Sequence, residues 1–143
     1  MTSVAVLAFF ALLTGNAAAG EISRALVDPY LKIQTALVHD SIDGLAGRAD
    51  QIATAAGALG AGAESIGTAA TGLAGATGLV DARAKFGVLS EAIDSYRKEG
   101  KLALPAGVRL AYCPMVRKTW LQEGTRIANP YFGTEMPTCG SFR

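Results

Sequence analysis

Ile42, Leu45, Ala49, Ile52, Ala56 and Leu59 recur at alternating steps of three and four. That spacing keeps a narrow apolar seam on one helix face. Asp40 or Ser41 stands ahead of the run as an N-cap, and glycines at 60 and 62 break it, so a helix is predicted between them. An earlier helix is predicted to start at Asp28-Pro29, where Asp caps exposed N–H groups and Pro loses no needed donor. Tyr30, Ile33 and Leu37 share its face, and it ends near His39. A later helix, capped by Asp81, carries Ala82, Phe86, Leu89, Ile93 and Tyr96 on one face and stops at Lys98-Glu99-Gly100.

The stretch 63–80 is less regular. Ile66, Ala70 and Leu73 outline a further helix, although Gly67, Gly72, Gly75 and Gly78 each cost roughly 1 kcal/mol relative to Ala. Close packing, which small residues permit, must offset that loss. After Pro105 the period changes: Val108, Leu110 and Tyr112 alternate with Arg109 and Ala111, as in a half-buried extended strand. Pro114, Pro130 and Pro137 then exclude a long helix. Trp120, Leu121, Ile127, Tyr131 and Phe132 are too apolar to leave in water, so the tail must lie against the helices. The expectation is an all-α fold, an up-and-down four-helix bundle with a C-terminal extended, turn-rich segment packed against it.

Composition narrows the partners. The chain has 143 residues, 50% hydrophobic, with net charge +1. One compact domain suits that length. A balanced charge removes the electrostatic drive toward nucleic acid or anionic membranes. Arg109, Arg117, Lys118 and Arg126 make a local excess, but Glu123 interrupts it. Glu64 is the one charge in residues 53–80, yet Ala and Gly offer too little apolar area for a membrane span, and no stable membrane insertion of the mature chain is expected.

The first twenty residues read as an export signal. An apolar run at 4–13 has h-region length, and Ala17-Ala18-Ala19 supplies small residues for cleavage near residue 19 or 20. No Lys or Arg precedes the run; the alternative is a buried N-terminal helix. The expected organisation is a signal peptide at 1–20 and one periplasmic domain at 21–143.

The chemistry gathers in the tail. Both cysteines and two of the three methionines lie there, as Cys113-Pro114-Met115 and Met136-Pro137-Thr138-Cys139. Extended residues two apart point to the same side, and a turn can bring residues three apart together. Cys113, Met115, Met136 and Cys139 therefore form a candidate metal site. Thiolate and thioether donors select Cu(I) or Ag(I) over hard ions, and zinc suits thioethers poorly. Trp120 is a candidate shield. The alternative is a Cys113–Cys139 disulfide, the simplest use of two cysteines in an exported protein, which would stabilise the fold by roughly 3–4 kcal/mol, with the methionines as packing residues.

Other chemistry is not legible. His39, the one histidine, sits at a predicted helix end, where satisfying a carbonyl or facing solvent is its ordinary role. No Ser-His-Asp set, paired acid and base, or Gly-Lys-Ser/Thr phosphate loop stands out. Thiol oxidoreductases favour Cys-x-x-Cys near a βαβ unit, and neither is found here. The expectation is a non-enzyme.

At these residues the chain resembles a bacterial family, domain-of-unknown-function family 3347. The likeness lies in Tyr112-Cys113-Pro114-Met115, Trp120-Leu121, Ile127-Ala128-Asn129-Pro130-Tyr131-Phe132-Gly133 and Met136-Pro137-Thr138-Cys139-Gly140. It extends to Phe86-Gly87-Val88-Leu89-Ser90-Glu91-Ala92-Ile93, similar to a family helix Phe-x-x-Leu-Ser-Glu-Ala-Leu, and spans roughly residues 25 to 141. The resemblance implies an exported helical-bundle domain, found alone or appended to periplasmic adaptor subunits of copper and silver efflux pumps. It thereby implies efflux-system components as partners and soft-metal handling through Cys113, Met115, Met136 and Cys139. Two departures mark this chain: only four residues separate Met115 from Trp120, and residues 53–80 are unusually rich in Gly and Ala.

Overall fold

The computed structural model describes residues 20–143, so residues 1–19 of the expected signal segment lie outside the described residues. Four helices come first: α1 Arg24–Val38, α2 Leu45–Leu59, α3 Glu64–Ala74 and α4 Leu79–Glu99. Three strands follow, β1 Val108–Cys113, β2 Lys118–Glu123 and β3 Ser141–Phe142, forming an antiparallel sheet in the order β2-β1-β3. The expected all-α bundle is therefore corrected to a mixed α/β fold.

The tail is a sheet because β1 finds a partner that apolar spacing does not advertise. Pro114 lies in a tight loop at 114–117, with Arg117 at φ 54°, and the chain returns as β2. The ladder runs from Val108↔Glu123 to Cys113↔Lys118, and β3 adds Ala111↔Phe142 and Tyr112↔Ser141. The prolines that exclude a long helix fall between strands, where no ladder donor is missing. In β2, Trp120, Leu121 and Gln122 are all buried, so no alternation marks it as a strand. The buried residues of β1 are Val108, Ala111 and Cys113, with Leu110 and Tyr112 only partly covered.

Three helix starts also differ from expectation. α1 begins one turn before Pro29, with the Ser23 hydroxyl accepting from the Ala25 N–H at 3.2 Å. An interior proline costs about 3 kcal/mol or more. Burying Leu26 and Val27 completely in that first turn returns about 1.5–3 kcal/mol each, enough to keep it helical. α2 begins at Leu45 behind Gly44 (φ 67°), leaving Ile42 39% exposed outside the helix. Asp40 does not cap it, because its carboxylate is bound to Arg83 and Thr134. α4 starts at Leu79; Asp81, inside its first turn, accepts from the Thr77 N–H at 3.0 Å.

The apolar seams do form the core. Leu45, Ala49, Ile52 and Ala56 of α2, and Ile66, Ala70 and Leu73 of α3, are buried. A Cβ on Gly67 would meet the Ala56 methyl at an ordinary contact distance of 3.7 Å, and one on Gly72 would meet nothing, so close packing does not require the glycines of α3.

β2 lies against α4 and α1. Tyr30 of α1 stacks on Phe86 of α4 with ring centroids 4.8 Å apart, and Tyr131 and Trp120 extend the aromatic cluster. The Tyr30 oxygen accepts the Leu121 N–H at 3.1 Å. Ser90 gives its one proton to the Phe86 carbonyl at 2.9 Å, so Tyr30 donates to Ser90 at 2.6 Å. This buried chain ties α1, α4 and β2 together with each proton used, and no helix among the described residues is long and apolar enough to cross a membrane.

Candidate metal centre

Cys113 ends β1, its backbone fixed by the β1–β2 ladder and its side chain completely buried. Cys139 lies on the irregular segment before β3 and is partly exposed. The two thiols are neighbours, close enough for Cys113 to influence the ionisation of Cys139. Both are free thiols here. Burial first, then the side-chain interaction with Cys113, then the like charge of a second thiolate, hold the Cys139 thiol above its ordinary pKa.

Asn129 braces the Cys139 segment. Its side chain is wholly buried; Nδ2 donates to the Cys139 carbonyl at 2.6 Å, and Oδ1 accepts from the Tyr131 N–H at 2.8 Å. Its backbone N–H donates to the Pro137 carbonyl at 2.8 Å, and its carbonyl accepts from Gly133 at 3.0 Å. One residue therefore closes its own turn and anchors the Met136–Cys139 turn, in which the Cys139 N–H returns to the Met136 carbonyl at 3.3 Å.

The far side of the same loop is held by the helices. Arg83 donates from Nε to the Pro130 carbonyl at 2.9 Å, and from a terminal nitrogen to the Leu37 carbonyl at 2.9 Å and to Asp40 at 2.5 Å. Asp40 also accepts from the Thr134 hydroxyl and, at 3.3 Å, from the Thr134 N–H. The Thr134 hydroxyl first, and Arg83 second, hold the Asp40 carboxyl below its ordinary range. Gly133, at φ 53°, passes directly over this pair, where a Cβ would collide with the Asp40 carboxylate and the Arg83 guanidinium.

Trp120 lies under the segment that carries Cys139. It is fully buried, with Nε1 donating to Gln122 Oε1 at 3.0 Å and its ring edge-on to Tyr131 at 5.9 Å. A Cβ on Gly140 would lie 2.7 Å from the indole and 2.8 Å from the Tyr112 carbonyl, so glycine lets the Cys139 segment lie flat on the ring. Gln122 serves this wall too, accepting from Ala128 N–H at 3.0 Å and donating to the Arg126 carbonyl at 2.7 Å.

The four sulfur residues are thus unequally placed. Cys113 and Cys139 are brought together. Met136 is half-buried in the turn leading to Cys139, while Met115 sits at the hairpin tip and is 65% exposed. The loop ends the extended geometry at Cys113, so residues 113 and 115 no longer share a strand face. Two adjacent thiols suit a soft monovalent ion, which accepts low coordination by sulfur. Among the described residues, no three His, Cys, Asp or Glu side chains converge to hold a metal. His39 serves a local need, its Nδ1–H donating to the Thr35 carbonyl at 2.8 Å.

Asn129 and Gln122 are the structural residues of the site that carry no chemical signature in the sequence. Asn129 stands within the tail motif, and its place directly before Pro130 is the one signal that a turn is built there. No protein-family model, curated protein or solved structure matches the chain. The resemblance to family 3347 accordingly rests on the motif residues themselves.

Proposed function

We propose that this chain is an exported, non-catalytic module that binds Cu(I) or Ag(I) through Cys113 and Cys139. The observation that carries the reading is that the two thiols, from opposite ends of the tail, lie as neighbours, with the Cys139 segment braced by Asn129. Metal binding would release the thiol protons, so affinity falls as pH falls. In this reading Met136, half-buried in the turn that carries Cys139, supplies a thioether donor, and Met115, at the exposed hairpin tip, receives or releases the ion. Trp120 walls the inner side from water. The resemblance to family 3347 supports periplasmic placement and efflux-system components as partners.

The second reading is a structural or interaction domain stapled by a Cys113–Cys139 disulfide. Complete burial of Cys113 favours it, because a permanent staple needs no access. The readings separate in one experiment: intact mass and thiol counting on protein recovered from the periplasm, before and after anaerobic reduction, with Cu(I) added. Free thiols and one Cu(I) gained per chain support metal binding. A closed bond and no uptake after reduction leave the stapled domain.

A further inference from the structure

The two neighbouring thiols are unlike in access. Cys113 has no exposed surface and sits on a paired strand, whereas Cys139 is partly exposed on an irregular segment. A disulfide reagent arriving from solvent therefore meets Cys139 and cannot reach Cys113 without opening the sheet. Cys113, the neighbour of Cys139 on the paired strand, is positioned to act on whatever Cys139 has captured.

We propose that Cys139 is the first-reacting thiol and Cys113 the resolving thiol in exchange with an external disulfide. The inference rests on the reading of these two cysteines as the functional dithiol. In the first step the Cys139 thiolate attacks R–S–S–R; a Cys139–S–S–R bond forms, the original S–S bond breaks, and RS⁻ departs. In the second step the Cys113 thiolate attacks Sγ of Cys139; the Cys113–Cys139 bond forms and a second RS⁻ leaves. Each departing thiolate takes up one proton lost by a protein thiol. The protein dithiol is oxidised by two electrons, and the external disulfide is reduced to two RSH. Closure removes both thiolates, so an external disulfide of suitable potential switches the soft-metal site off.

Reduced protein treated with oxidised glutathione, quenched in acid and mapped by peptide mass spectrometry tests this order. Cys113→Ala is expected to accumulate one glutathione on Cys139. Cys139→Ala should react at Cys113 at least about tenfold more slowly, in line with its burial. The wild-type chain should pass to the internal bond with no lasting adduct. Equal rates in the two variants, or a glutathione that persists on wild-type Cys139, would overturn the order. Should Cys113→Ala lose its circular dichroism signal, limited alkylation of native wild-type protein replaces it. Labelling of Cys139 first supports the proposal, and equal labelling or Cys113 first overturns it. Failure of Cu(I) to bind leaves this outcome untouched, and Cu(I) binding with the reverse order removes this inference alone.

Discussion

The Asn129 side chain donates to the Cys139 carbonyl at 2.6 Å from a position with no exposed surface. That bond makes a loop amide the brace of the dithiol, because it fixes where the second cysteine lies relative to the end of β1. Asn129→Ala leaves the Tyr131 N–H and the Cys139 carbonyl without their partner. It is expected to lower stability by about 2–3 kcal/mol in urea unfolding and to speed Cys139 alkylation. Unchanged alkylation in a folded variant would show that Cys139 is held by other means.

Tyr30 plays the corresponding part for the sheet. Its hydroxyl receives the outward-facing Leu121 N–H, closing the free edge of β2 against α1. Tyr30→Phe strands that N–H and should cost about 1–3 kcal/mol with little change in the helical signal.

Alkaline pH gives a second test at Tyr30. Burial outweighs the hydrogen bonds to Ser90 and from the Leu121 N–H and pushes its phenol well above the ordinary 10.0. The unfolded chain then ionises first, so stability present below pH 10 falls as pH rises toward the folded value. Tyr30→Phe should flatten that decline above pH 10, measured by unfolding at stepped pH. Tyr131, also raised by burial, leaves a residual slope.

Asp40 predicts the acid side. Its folded pKa is depressed, first by Thr134 and then by Arg83, so its stabilisation is present above the unfolded value of 3.8 and is lost as pH falls through the folded one. Asp40→Asn should lower the melting temperature at neutral pH and weaken its dependence on pH below about 4. Gly133→Ala, forced into the same ion pair at positive φ, should destabilise by about 1–3 kcal/mol at any pH.

The two methionines are expected to differ. Met136→Leu, in the turn that carries Cys139, should weaken Cu(I) binding by about tenfold or more without lowering the melting temperature. Met115→Leu, at the exposed tip, should change affinity less and the rate of transfer to a chelator more. Equal effects on affinity would place both thioethers on the metal.

The helices were legible where burial follows a single period. The seams of α2 and α3 and the glycine stop of α4 needed no distant information. Local capping rules failed at Asp28-Pro29 and Asp40, where tertiary contacts outweighed or claimed those residues, and at Asp81, whose carboxylate instead serves Thr77 and Lys85 from inside the first turn. β2 was illegible for a different reason. Its run of Trp120, Leu121 and Gln122 is buried throughout, and Gln122 takes part of its hydrogen bonding from backbone that arrives later in the chain, at Arg126 and Ala128. The sulfur residues were visible by type and spacing. Their unequal placement was not, because it depends on where the hairpin turns and on Asn129 reaching Cys139.

The most direct test of the dithiol as a soft-metal site is an anaerobic Cu(I) titration against a chromophoric chelator. It compares the wild-type chain with a Cys113→Ser, Cys139→Ser double variant, both shown to be folded. The account predicts one tightly held Cu(I) per wild-type chain and loss of that binding in the variant. Tight binding retained by the double variant, or none by the fully reduced wild-type chain, would contradict it.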